Sequence, residues 1–306
     1  MVFNVSILEE KINIHTDYDI SLLSPIKCGG KAKYITFPTN IEETKSALKF
    51  AQENGLKTYI LGGLTNTIVS DNGLDGLVIS TKKLKGIKIE NNLLTAACGE
   101  SLSNVIDYSI KNNLSGLERL SGIPGSIGGA VKGNIGSYDR TISDLFYYAE
   151  ILMPSGKLER IYKNDSLFSY RTSSFPKECI IYSITFALTE EKDNKHLISH
   201  RDSFVFKRKQ KGQYDNPSLG CIFKNLNGIS AGLLIEQCGL KGTKLNGSEI
   251  SLNHGNFITI YDKTTTKDYL TLAKLMHDKV KQQFNVNLEY EINILGQDLS
   301  KQSSLS

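Results

Sequence analysis

The chain has 306 residues, 40% of them hydrophobic and 22% charged, enough for a substantial core and about two domains. Its net charge of +4, scattered except at Lys207-Arg208-Lys209 with Lys211, does not argue for nucleic acid, and no apolar run approaches the roughly 20 residues of a membrane span. The segment before Tyr18 lacks the layout of a secretory leader, and cysteines at 28, 98, 179, 221 and 238 form no CxxC pair, so a reduced, cytoplasmic setting without a disulfide framework or zinc cluster is expected.

In chain order, residues 41–54 place Ala47, Leu48 and Ala51 on one side behind early acidic residues, as a short amphipathic helix closed by Gly55 would. KTYILGG then reads as a strand entering a glycine turn, an α/β arrangement. Short β-rich runs follow at LDGLVIS, GIKIE and LLTAAC, and a second amphipathic helix at 101–113. LFYYAEILM and CIIYSITFAL are strands flanking a polar Ser/Tyr segment. The charged stretch 190–196 is the candidate domain junction. Beyond it, ISAGLLIEQCGL and DYLTLAKLMHDKVKQQF read as helices and ISLNHGNFITI and NLEYEINIL as strands, with a frayed tail over the last ten residues. His196 and His200 stand at i, i+4, but without an acidic or cysteine partner they predict no metal site.

Two glycine loops carry the cofactor argument. In LGGLTNTIVSDNGLDGLVI (61–79), Gly62 and Gly63 allow close backbone approach to a phosphate, and Thr65 and Asn66 add side-chain donors. Alone, this loop is better read as a tight turn, and without GxGxxG it does not indicate a dehydrogenase dinucleotide fold. In SGIPGSIGGAVKGNIGSYD (121–139), Gly122, Gly125, Gly128, Gly129, Gly133 and Gly136 are too dense to be entropically cheap, and Pro124 fixes the entry. Two such loops together predict a long diphosphate cofactor over a glycine-rich structural hairpin.

These residues resemble a known family. GIPGSIGGAVKGNIGSYD is similar to the flavin-binding signature of the UDP-N-acetylenolpyruvoylglucosamine reductases, and LGGLTNTIVSDNGLDGLVI to their first flavin loop. YRTSSF (170–175) resembles their arginine motif and NPSLGCIFKN (216–225) their proton-donor motif. AGLLIEQCGLKG, ISLNHGNFI and LEYEINILG complete the set, in family order from about residue 25 to 296. The resemblance implies an α+β fold: a two-part FAD-binding unit of the vanillyl-alcohol-oxidase type over residues 1–195, with a subdomain boundary near 80, then an α+β substrate-binding domain over 196–306. The modest length resembles the shorter subclass, without an inserted tyrosine-bearing loop.

The resemblance also implies FAD, NADPH and a UDP-sugar as cofactor and substrates, with no nucleic acid or membrane partner and a monomeric enzyme. Ile123, Pro124, Ser126 and Asn134 join the glycines Gly125, Gly128, Gly129 and Gly136 as flavin contacts of the second loop, with Gly62, Gly63, Thr65 and Asn66 in the first. The implied reaction delivers a hydride to the enolpyruvyl C3 and a proton to C2, which requires a cation at the carboxylate and an acid beside C2. Arg171 matches the family's arginine, whose guanidinium can hold a carboxylate bidentately. Glu291 matches its glutamate, with Glu289 the competing choice. At the donor the usual Gly-Ser-x-Phe becomes Gly220-Cys221-Ile222-Phe223. A thiol, near pKa 8.5 unperturbed, is a stronger acid than a serine hydroxyl, so Cys221 can replace it; alternatively it is a small turn residue and water donates. Asn225 and a lysine, Lys209 or Lys211, match phosphate-contacting positions; the bland reading of that basic run is a solvated face.

Two rivals remain at this level. An oxidase on the same fold would favour a covalent flavin link through histidine or cysteine, which neither glycine loop contains. A non-catalytic nucleotide-sugar binder would have no need of both Arg171 and Glu291.

Overall fold

The computed structural model describes residues 2–7, 10–137, 139–226 and 228–296; the expected tail lies outside the described residues. The chain divides into two compact units. The first comprises Met1–Thr16, Tyr34–Gly63 and Gly76–Lys207, the second Asp17–Lys33, Leu64–Asp75 and Arg208–Ser306. The cut expected near residue 195 follows chain order, whereas these units do not. Burial gives the reason: Ile26, Cys28 and Ile68 share a core with Leu219, Phe223, Ile235 and Tyr269, so two early stretches cluster with the C-terminal third.

Helix α1 (Ile41–Glu53) of the first unit follows strand Lys31–Thr36 in the chain and precedes strand Thr58–Leu61. Asn40 caps α1 by accepting from the Glu43 amide at 2.8 Å, and Glu43 reaches back to the Thr39 amide at 2.7 Å. Its Ala47, Leu48 and Ala51 are buried against Ile12, Ile14, Leu77 and Ile79. Thr58–Leu61 pairs in parallel with Leu74–Ser80, Tyr59 opposite Val78.

A separate antiparallel sheet runs in the order Leu158–Tyr162, Phe146–Leu152, Ile180–Ala187, Leu93–Ala97, Ile87–Glu90. Helices α2 (Leu102–Lys111) and α3 (Ile127–Lys132) bury Val105, Ile106, Ile110, Ile127 and Val131 in one core with Leu94, Ala96, Ile184 and Phe186. The short helix α4 (Ile142–Leu145) enters Phe146–Leu152 behind a Thr141/Asp144 capping box. Two helices depart from the sequence reading: α3 lies inside the second glycine loop, and α5 (Lys195–Gln210) starts within the charged stretch expected to be a junction. Only Leu197 of α5 is buried, so it has no apolar periodicity to betray it.

Gly99 turns the chain out of this sheet, where an added Cβ would meet the Thr81 and Leu84 carbonyl oxygens. Both are backbone atoms and cannot swing aside. Gly99→Ala is expected to destabilise the protein by about 1–3 kcal/mol, seen as earlier thermal melting; unchanged melting would show that the turn can yield.

The second unit contains an antiparallel sheet in the order Ser218–Cys221, Phe257–Ile260, Ser248–Ile250, Lys244–Leu245, and a parallel pair, Thr67–Val69 with Asn293–Leu295. Helices α6 (Ala231–Gln237) and α7 (Thr266–Phe284) contribute Leu234, Ile235, Leu270, Ala273, Met276 and Val280 to its core. Asp71 accepts from the Thr266 and Lys267 amides at 2.9 and 3.0 Å, satisfying two orphan donors and setting a carboxylate at the positive end of α7. The segments read as single strands at 250–260 and 287–295 are shorter: Ser251–Asn256 and the stretch before Asn293 run as loops. Among the described residues no helix is long and apolar enough to cross a membrane, and no cysteine forms a disulfide.

Candidate active site

In the first unit the fold brings the two glycine loops together. An added Cβ on Gly62 would lie 2.5 Å from the Ser126 hydroxyl oxygen, so the loops meet with no side chain of residue 62 between them. Ser126 caps α3, accepting from the Gly129 amide at 3.3 Å. Gly122 (φ 82°) and Gly125 (φ 131°) occupy backbone regions closed to most side chains, which explains their presence in the turn. Ile127 and Gly128 donate their amides to the Glu100 and Cys98 carbonyls at 2.8 and 2.9 Å. Those two amides are taken up within the fold. Gly128 is small for a packing reason, since its Cβ would press on Cys98 at 2.8 Å. Ile123 packs on the core, while Pro124 and Gly129 are exposed.

The second loop also holds the candidate arginine. Phe168–Ser169 and Thr172–Ser173 form a hairpin whose two-residue turn is Tyr170-Arg171. Phe168 roots it against Phe146 and Phe175, with ring centroids 5.0 and 6.0 Å away. Asn134, buried in the glycine loop, donates to the Ser169 carbonyl at 2.9 Å and accepts from the Ser143 amide at 3.3 Å. Ser173 donates to the Lys132 carbonyl at 2.7 Å. Asn134, expected at the flavin, braces the arginine hairpin through its amide nitrogen and the start of α4 through its oxygen. Half-buried Arg171 lies over the loop, its Nη1 3.2 Å from where a Cβ on Gly136 would stand. Arg171 itself has φ 58°, a left-handed conformation that costs a non-glycine residue roughly 1 kcal/mol. Strain of this kind at a turn tip is held by its surroundings, here the braces from Asn134 and Ser173.

In the second unit the candidate acid and glutamate converge on one hydrogen bond. The Glu291 amide donates to the Ile222 carbonyl at 2.8 Å, directly after Cys221. Cys221 stands opposite Phe257 at the end of a bulged strand, and Gly220 before it has φ 75°. A bulge re-aims the side chain it carries. Cys221 and Glu291 are both half-buried. Asn66 of the first glycine loop donates to the Glu291 carbonyl at 3.1 Å and accepts from the Asn293 amide at 2.9 Å. A residue expected at the cofactor thus holds the backbone of the expected catalytic glutamate. Half-buried Thr65 precedes it. Glu289, the competing choice, is exposed and paired with Lys224 at 3.3 Å.

The polar periphery is less tightly built. Asn225 accepts from the Ala231 amide at 3.1 Å and so supports the start of α6. Lys209 and Lys211 are both exposed. Lys211 acts on His254, whose pKa is lowered first by burial and then by the charge of Lys211, so His254 is held toward its neutral form. The His254 ring accepts from the Asn256 amide at 3.2 Å and packs on Phe257 at 4.4 Å.

The residues present fit a flavin diphosphate: glycine turns of both loops adjoin, and Ser126, with its hydroxyl, stands between them. Comparison with known proteins agrees. An FAD binding domain family matches residues 32–162, and the UDP-N-acetylenolpyruvoylglucosamine reductase C-terminal domain family matches 212–295. The UDP-N-acetylenolpyruvoylglucosamine reductase of Caldicellulosiruptor saccharolyticus is 38% identical over 292 residues, 94% of each chain. The protein of the same name from Levilactobacillus brevis is 34% identical over 303 residues, 99% of each. The crystal structure of UDP-N-acetylenolpyruvylglucosamine reductase from Thermus caldophilus superposes with a TM-score of 0.79 at 28% identity, covering 93% of this chain and 99% of that one. With identity above 30% along nearly the whole length of these relatives and both family domains in sequence, the chain belongs to the UDP-N-acetylenolpyruvoylglucosamine reductase family and is a flavin-dependent oxidoreductase.

Proposed function

We propose that the chain uses NADPH and FAD to reduce UDP-N-acetylenolpyruvoylglucosamine to UDP-N-acetylmuramate, a cytoplasmic step in peptidoglycan precursor synthesis, as a monomer. The observation that carries the residue roles is the shared backbone bond of Ile222 and Glu291, which holds a thiol and a carboxylate on adjoining segments. Residues 1–195 serve the flavin and 196–306 the sugar nucleotide. FAD, when bound, takes electrons from NADPH and supplies the hydride that reaches the enolpyruvyl C3.

The protein's own groups do the rest. Gly62, Gly63, Thr65 and Asn66, with Ile123 to Ser126, Gly128, Gly129, Asn134 and Gly136, shape the cofactor site. Arg171 holds the substrate carboxylate as negative charge grows on it and on C2; a guanidinium does this with two parallel donors. The Cys221 thiol gives its proton to C2, and Glu291 orients that thiol or returns the proton to it. Asn225 and the lysine pair Lys209 and Lys211 meet the phosphates.

Anaerobic mixing with NADPH is expected to bleach the flavin absorbance, and addition of UDP-N-acetylenolpyruvoylglucosamine to restore it. Absence of bound flavin, or bleaching without recovery, would sink the reading. Cys221→Ala is expected to leave bleaching intact and slow recovery by about 10²–10⁴-fold, whereas Cys221→Ser retains recovery because a hydroxyl stands at this position in the family's usual motif. Normal recovery in Cys221→Ala would show that water is the acid.

A further inference from the structure

The strand Ser218–Cys221 pairs with Phe257–Ile260 only as far as Cys221. Past that point one residue replaces the ladder. The Asn256 carbonyl accepts from the Ile222 amide at 2.9 Å. Its carboxamide then brackets Phe223, accepting from the amide at 3.0 Å and donating to the carbonyl at 2.7 Å. Asn256 is 1% exposed, so these bonds have no competition from water. On the other side of the same segment, Ile222 accepts from the Glu291 amide and the Lys224 amide donates to Glu289 at 2.8 Å. The Phe223 ring stacks on Tyr290 at 4.9 Å. Residues 222–223 are therefore clamped between Asn256 and the segment that carries Glu291.

We propose that Asn256 is a positioning residue: its carboxamide fixes the Ile222–Phe223 backbone and thereby sets Cys221 and Glu291 relative to each other for protonation at C2. The inference rests on the roles proposed above for those two residues. The chemistry demands an amide. Phe223 presents one donor and one acceptor to a single side chain, and a carboxamide returns one of each at every pH. An aspartate keeps the acceptor but, while ionised, sets a carboxylate against the Phe223 carbonyl. Once protonated it regains a donor.

The test follows both half-reactions by flavin absorbance in the anaerobic holoenzyme, comparing wild type, Asn256→Asp, Asn256→Ala, Cys221→Ala and Glu291→Gln. Asn256→Asp is expected to be bleached by saturating NADPH at the wild-type rate. At pH 8 its recovery with UDP-N-acetylenolpyruvoylglucosamine is expected to be about 10²-fold slower. The deficit relative to wild type shrinks as pH falls and the new carboxyl protonates. In Asn256→Ala the deficit persists at every pH; if that variant does not fold, the aspartate variant decides alone. Wild-type recovery in Asn256→Asp, an equal slowing of both half-reactions, or a deficit that does not change with pH would each overturn the positioning role. Failure of the underlying reading looks different: either wild type does not recover, or Cys221→Ala and Glu291→Gln both recover normally.

Discussion

Arg171→Gly should make the protein more stable and nearly inactive. Arg171 holds φ 58° at the tip of the Phe168–Ser173 hairpin, where glycine relieves about 1 kcal/mol of backbone strain. The same change removes the guanidinium proposed to hold the substrate carboxylate. Losing one such donor of transition-state charge slows turnover by roughly 10²–10³-fold. Thermal melting and flavin recovery with the UDP-sugar measure the two effects separately. Arg171→Lys keeps the charge and the strain but loses the planar fork, so it should sit between glycine and wild type in rate without gaining stability. A glycine variant that turns over normally would remove Arg171 from the mechanism; one that melts earlier would show that the guanidinium braces the fold. The braces can be tested too, since the Asn134 amide and the Ser173 hydroxyl pin this hairpin to the glycine loop.

The second large effect is expected at Glu291. Glu291→Gln preserves size and backbone bonding to Ile222 and removes only the carboxylate, so recovery of the flavin by substrate should slow by about 10²–10⁴-fold with bleaching by NADPH unchanged. Glu289→Gln should change neither, because that side chain is exposed and engaged with Lys224 in a surface pair of little energetic weight. Equal losses in the two variants would mean that the strand's charge, rather than one carboxylate, is at work. Loss only in Glu289→Gln would exchange the assignments.

Much of the fold was legible because burial imposes periodicity. Helix α1 shows its buried face in Ala47, Leu48 and Ala51, and the strand Leu74–Ser80 was read to the residue. Helix α5 was missed because it buries Leu197 alone, so its sequence carries no stripe. Helix α3 was missed because Gly128 and Gly129 sit inside it; glycine argues against helix, and close packing on Cys98 overrides that preference. The loop at 251–256 joins two short strands, Ser248–Ile250 and Phe257–Ile260, whose apolar residues make the whole run look like one strand, and before 293 the Ile222 bonds satisfy the backbone in place of a ladder.

The sequence by itself determined the family, the cofactor class and the residue types of the chemistry, since ordered motifs are local and a glycine loop or an arginine motif is written in consecutive residues. The tertiary structure decided what those residues do for one another. Asn134 and Asn66 read as cofactor contacts, and only the fold shows them bracing the Arg171 hairpin and the Glu291 backbone. Glu291 was the sequence's choice over Glu289, and the fold adds that Glu289 is exposed and paired with Lys224. Asn256 lay inside the ISLNHGNFI motif with no role assigned, because its bonds reach a segment 33 residues away, and no pattern of neighbours along the chain encodes a bond of that reach.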